Sequence, residues 1–116
     1  MSFRTEDIVL LTGASMGADF ESGPINVAAY IGMSIQAIYT GSPVGSLVIQ
    51  ASGAVTNRAA DIDASSWIDI GNDAVSAAGT SLFNIRTPFY KWLRVVYRRT
   101  SGTGTVTTIT ANLRFT

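Results

Sequence analysis

Two long stretches of strict apolar/polar alternation constrain this chain more than anything else in it. From Ile31 to Thr40 one face reads Ile31, Met33, Ile35, Ala37 and Tyr39, while the other includes Gly32, Ser34, Gln36 and Thr40. After Gly41-Ser42-Pro43-Val44-Gly45, the pattern resumes with Leu47, Ile49 and Ala51 against Ser46, Gln50 and Ser52. Near the other end Leu93, Val95 and Tyr97 alternate with Arg94, Val96 and Arg98. Beyond Ser101-Gly102-Thr103-Gly104, Ile109, Ala111, Leu113 and Phe115 alternate with Thr108, Thr110, Asn112 and Arg114. A period of two is the signature of strands with one buried face, and Cβ-branched threonines suit the pleated outer positions. Each pair of runs, joined by a glycine-rich turn, reads as a hairpin. The alternation predicts that Ile35, Ile49, Leu93, Val95, Tyr97, Ile109 and Leu113 are buried. Arg94, Arg98, Thr108, Thr110 and Gln50 are predicted to point away from the core.

Weaker strand patterns occupy Ile8–Thr12, Ile25–Tyr30, Trp67–Ile70 and Ser81–Ile85, with a short turn in Ala74–Gly79. No convincing amphipathic helix is present, and residues 53–66 read as a long loop. The 116 residues allow one core. The expected architecture is therefore all-β: a single two-sheet antiparallel β-sandwich of jelly-roll type with a long loop near 53–66. Residues 1–24, with Gly13, Gly17, Gly23 and Pro24, are expected to form an N-terminal arm or edge segment ahead of a sandwich domain at 25–116.

Histidine and cysteine are absent. That excludes a disulfide framework, thiolate or imidazole metal ligands, a cysteine nucleophile and a Ser-His-Asp triad. Apolar residues make up 47% and charged ones 14%, a balance incompatible with intrinsic disorder. No apolar run approaches the ~18 residues of a membrane-spanning helix, and the opening Met-Ser-Phe-Arg-Thr-Glu-Asp lacks a secretory hydrophobic region. Synthesis and folding in a cytoplasm is the expectation.

Three motifs suggest chemistry and fall short of it. Val9-Leu10-Leu11-Thr12-Gly13-Ala14-Ser15-Met16-Gly17 has the look of a dinucleotide-binding loop, but the position of its third glycine is Asp19, a carboxylate that would oppose a diphosphate. Ser22-Gly23-Pro24 then interrupts any helix. Asp61 and Asp63, with Asp69 and Asp73, could offer oxygens to calcium, yet the EF-hand loop pattern is missing and solvated aspartates are the simpler account. The same carboxylates could be imagined as a glycosidase pair, but nothing in the sequence shows that two of them flank a sugar groove. Tyr90-Lys91-Trp92-Leu93-Arg94-Val95-Val96-Tyr97-Arg98-Arg99 interleaves aromatics with bases, as single-stranded nucleic-acid sites do. Alternation instead sends Tyr97 to the core and leaves Trp92, Arg94 and Arg98 on one outer face, where an arginine can pack on an indole. The chain is therefore expected to have no catalytic, cofactor or metal site and no nucleic-acid or membrane partner.

Charge is divided along the chain. All eight acids lie in residues 1–73 with only Arg4 and Arg58, whereas residues 74–116 hold six bases and no acid. The halves can interleave and cancel within one fold, and acidic and basic faces can also meet between subunits, making association partly electrostatic; the two readings are not exclusive.

The segments Ile31–Ser52, Trp67-Ile68-Asp69-Ile70, Tyr90–Tyr97 and Thr100–Val106, in that order, resemble small virion proteins of tailed bacteriophages. The resemblance spans most of residues 31–113; residues 1–24 lie outside it, and the 53–66 loop departs from the compact turn it implies. It implies a β-sandwich or jelly-roll structural protein, most specifically a capsid decoration or cement protein on the outer capsid surface. Its partner would be the major capsid protein or another virion protein, its location the virion, and its state a homo-oligomer. A tail or head-fibre component is the alternative within that class, and a carbohydrate-binding module the alternative outside it. Phe3, Arg4, Glu6, Asp7, Asp61, Asp63, Trp92, Arg94, Arg98 and Arg99 are the candidate partner-interface residues.

Overall fold

The computed structural model describes residues 4–86 and 90–115. These form nine strands: β1 (Arg4–Thr12), β2 (Phe20–Glu21), β3 (Ile25–Asn26), β4 (Gly32–Gly41), β5 (Val44–Ser52), β6 (Ile68–Val75), β7 (Gly79–Arg86), β8 (Trp92–Ser101) and β9 (Gly104–Phe115). Two single-turn 3-10 helices, Ala59–Asp61 and Ala64–Ser66, punctuate the loop between β5 and β6. All pairing is antiparallel. One sheet has the order β1-β9-β4-β7, the other β2-β8-β5-β6, with β3 also on β8.

The registers show why this is one fold rather than two stacked sheets. β4 pairs with β9 from Gly32↔Arg114 to Gly41↔Gly104, and β5 continues the same pairing with β8 from Val44↔Ser101 to Ser52↔Trp92. Residues 32–52 and 92–115 thus make one antiparallel ribbon that folds over at its middle, one half in each sheet. The first leg (4–26) runs along the fourth in the same way, and the third leg (68–86) along the second. Both sheets repeat the leg order first, fourth, second, third. The molecule is a jelly-roll sandwich.

This topology corrects the hairpin reading. Gly41–Gly45 and Ser101–Gly104 are not hairpin turns; each carries its chain from one sheet to the other. The two corners press together, Ser42 N–H donating to Thr103 O at 2.8 Å. Alternation reports which face of a strand is buried but not which strand lies beside it, and a corner uses the same small residues as a hairpin turn.

Between the sheets lie Ile35, Ala37, Leu47, Ile49, Leu93, Val95, Tyr97, Val106, Ile109, Ala111 and Leu113, all buried, with Met16 and Val27 closing the ends. Every core position expected from the alternation is there. Ile25–Tyr30 is strand only at Ile25–Asn26; beyond it the Asn26 side chain accepts from Ala28 N–H and turns the chain. The short strand at Phe20–Glu21 has no alternation signal.

Of the two forms expected for residues 1–24, an arm or an edge segment, the described residues from Arg4 onward take the second. β1 is an edge strand of the sandwich, paired with β9 from Arg4↔Phe115 to Thr12↔Thr108, and β2 and β3 edge the other sheet. Ser15 bridges to Thr105. The apolar Ile8, Leu10 and Leu11 pack on the core, which is the physical reason this segment joins the sheet.

Candidate functional site

The outward face of the β2-β8-β5-β6 sheet is built by three facing positions: Arg94 on β8 opposite Gln50 on β5, and Gln50 opposite Asp69 on β6. Arg94 Nε donates to Gln50 Oε1 at 2.9 Å, and Gln50 Nε2 passes the chain on to Asp69 Oδ1 at 2.9 Å. Arg98, two outward positions along β8 from Arg94 and beyond Val96, closes it with a two-pronged contact to both Asp69 oxygens at 2.7 and 3.0 Å. Arg94 also pairs with Glu21 of β2 at 3.1 Å and lies over the Trp67 ring, 4.3 Å from its centroid. The planar guanidinium suits both the fork to a carboxylate and the stack on a ring. The hydrogen bonds from Arg98 and then Gln50 hold the Asp69 carboxyl below the usual carboxylate range.

The 53–67 segment lies over the Ser52 and Trp92 end of this face. Trp92 Nε1 donates to Thr56 O at 3.2 Å, and Ser52 and Ser66 hydroxyls share a 2.8 Å bond. Lys91 Nζ reaches Asn57. Ser52 is buried here although it faces outward, and Val48 and Gln50 on the same outward row of β5 are buried as well. Gln50, expected to point into solvent, is instead roofed by Arg94 and its neighbours.

The candidate interface residues do not form one patch. Phe3 lies outside the described residues. Arg4 opens β1; Glu6 accepts from Tyr30 Oη and Asp7 from Asn112 Nδ2, both on the other sheet's margin. Asp61 sits 3.8 Å from Arg58, and Asp63 caps its 3-10 turn by accepting from Ser65 N–H and Oγ, which lowers its carboxyl pKa. Trp92 is buried under the 53–67 loop, so the indole available to arginine is Trp67. Arg99 N–H donates to Asp19, and its Nε to Gly102 O, so the aspartate of the would-be nucleotide loop ties that loop to the β8 backbone. Glu21, Asp69 and Gln50 complete the lattice, but only the leg pairing puts them beside Arg94 and Arg98; sequence spacing carries no sign of it. The acidic and basic halves therefore meet inside one chain.

The opposite face, on β1-β9-β4-β7, has a different character. Its outward rows read Asp7–Asn112–Ser34–Asn84, then Val9–Thr110–Gln36–Leu82, then Thr12–Thr108–Ile38–Thr80. Among the described side chains charge is confined to one end, at Asp7 and Arg114. There a depression of about 380 Å³ is lined by Ser34, Asn84, Asn112 and Arg114. Val9 and Leu82 are each 61% exposed, and Ile38 is 37% exposed. Among the described residues no cluster of acidic side chains is arranged to hold a metal.

Fold and faces together define a small jelly roll with one face bound up in an internal charge lattice and the other open and largely neutral. No protein-family model and no curated protein matches the sequence. Solved structures do share the fold. The SPBc2 prophage-derived protein YomS aligns over 98% of this chain and 96% of its own, with a TM-score of 0.61 and 7% identity. A chain from Bacillus endospore appendages, a disulfide-linked pilus family, aligns over 99% and 90%, with a TM-score of 0.53 and 9% identity. A chain of infectious bursal disease virus, Gx strain, aligns over 99% of this chain but 33% of its own, with a TM-score of 0.52 and 11% identity. At these identities the likeness is one of fold.

Proposed function

We propose that this protein is a structural component of a phage virion, most specifically a capsid decoration or cement protein that adheres to the outer capsid surface and bridges neighbouring capsomers. The observation that carries the reading is the open β1-β9-β4-β7 face. It offers threonine, asparagine and glutamine hydrogen-bonding groups around three exposed aliphatic side chains, with charge only at one end. Such a surface adheres without a catalytic constellation, and no enzymatic step belongs to this reading. The full-length fold likeness to a prophage-derived protein, and the virus chain among the neighbours, support it. A fibre or tail component is the second reading, favoured by the likeness to an appendage subunit. A carbohydrate-binding module finds less support: among the described residues Trp92 is buried, Trp67 is stacked by Arg94, and no aromatic ring is left exposed as a sugar platform.

Particles stripped of the protein and then reloaded test the proposal. Reloading should restore heat resistance, and cryo-imaging should place the added mass on the head. Because Arg94 and Arg98 of the second sheet are paired within the chain to Glu21 and Asp69, occupancy should change little between 0.1 and 1 M salt, although the Debye length falls from about 10 to about 3 Å. Added mass confined to the tail or to a fibre would favour the second reading, and failure to bind particles at all would defeat both.

A further inference from the structure

A sandwich of this kind has four sheet edges, and each is a row of unpaired backbone donors and acceptors that invites another strand. Three of these edges carry features that discourage it. β1 has a bulge between Val9 and Leu11 and bears Glu6 and Asp7. β6 has one at Ile70, where Ile49 pairs with Gly71 and Gln50 with Asp69, and it bears Asp69 and Asp73. The edge made by β2 and β3 is two strands of two residues each, separated by Ser22-Gly23-Pro24.

The fourth edge, β7, is eight residues long without a bulge, and its one charge is Arg86 at its very end. Its pairing with β4 runs without a shift from Gly32↔Arg86 to Tyr39↔Gly79. Between Gly79 and Ile85 it has no charge and no proline, and no other described strand pairs with its far side. Leu82, in the middle of this stretch, faces outward and is 61% exposed.

We infer that β7 is a self-association edge: a second copy of this chain adds its own β7 antiparallel across a two-fold axis, so that the two four-stranded sheets become one continuous sheet. The charge pattern selects a second copy as the occupant. Across a two-fold, positions near the axis meet their own copies, so charge there is repelled by itself. β6, with its aspartates, is unsuited to such pairing, whereas Gly79–Ile85 is neutral throughout. With Leu82 on the axis, each residue from Gly79 to Ile85 faces an uncharged residue, Thr80 opposite Asn84 and Leu82 opposite Leu82, and the exposed leucines cover each other. The inference stands apart from the virion reading, since it concerns the free protein.

The test is sedimentation equilibrium of the purified protein over a wide concentration range. A reversible monomer–dimer equilibrium is expected. Leu82→Lys should raise its Kd at least about tenfold, while Val55→Lys, on a 93% exposed residue of the long loop, should leave it unchanged. A protein that stays monomeric at every concentration, or a dimer indifferent to Leu82→Lys, overturns the inference. Should Leu82→Lys fold poorly, the absence of any native cysteine allows a second measurement. Leu82→Cys should be joined into covalent dimers by a short bis-thiol reagent much faster than Val55→Cys, and equal rates would overturn it.

Discussion

Single side chains at the folded-over corners and in the core carry much of this structure. Gly102 has φ +75, and a Cβ on it would lie 2.1 Å from Ser42 O, so the corner of one leg rests on the bare backbone of the other. Gly13 has a similar φ of +69 with nothing within 4 Å. Both favour glycine, but only Gly102 adds a clash. Gly13→Ala should cost about 1–2 kcal/mol for the left-handed backbone, and Gly102→Ala distinctly more, as read from urea midpoints. The two core tyrosines make a matching pair. Tyr39 Oη bonds Ser81 Oγ at 3.0 Å, whereas the buried Tyr97 hydroxyl has no hydrogen-bond partner among the described residues, and burial raises its pKa. Tyr97→Phe should therefore leave the melting temperature unchanged or higher, with the ring stacked on Phe20 retained. Tyr39→Phe should cost about 1–3 kcal/mol by stranding a buried serine.

Among the elements, strands were far more legible than their neighbours. Period-two alternation revealed the faces of β4, β5, β8 and β9 and hence the core. The partners were hidden because Gly41–Gly45 and Ser101–Gly104 have hairpin-like composition while performing a sheet-to-sheet crossing. The candidate site was legible only in halves: Arg94 and Arg98 were visible as outward bases, but Gln50, Asp69, Glu21 and Trp67 join them solely through the leg pairing. That lattice has a pH signature. The Asp69 carboxyl is held low by Arg98 and Gln50, so its contribution is present above the ordinary carboxylate pKa of about 3.9 and is lost as pH falls through the lower, folded value. Asp63, held low by Ser65, acts with the same sign. The melting temperature should hold between pH 7 and 5 and fall on further acidification. Asp69→Asn should flatten the acid limb, and an unaltered limb would assign the acid sensitivity to other carboxylates.

For the molecule as a whole, the first leg belongs to the sandwich. Deleting residues 1–12 should strip a complete strand from β9 and uncover Ile8, Leu10 and Leu11's share of the core, lowering the melting temperature and promoting aggregation through the exposed β9 edge. A truncated protein that melts like the intact one would mean that β1 contributes no stability to the sheet. The same pairing bears on how the chain is made. β9 leaves the ribosome after every other strand described, and it is the partner of both β1 and β4. Until it emerges, β1 has no strand to bind, and β4 has only β7. Native pairing of the first leg is therefore deferred until residues 92–115 have been translated, and a chain stalled before β8 should expose β1 on both edges, and β4 on its β9-facing edge, to proteases and chaperones.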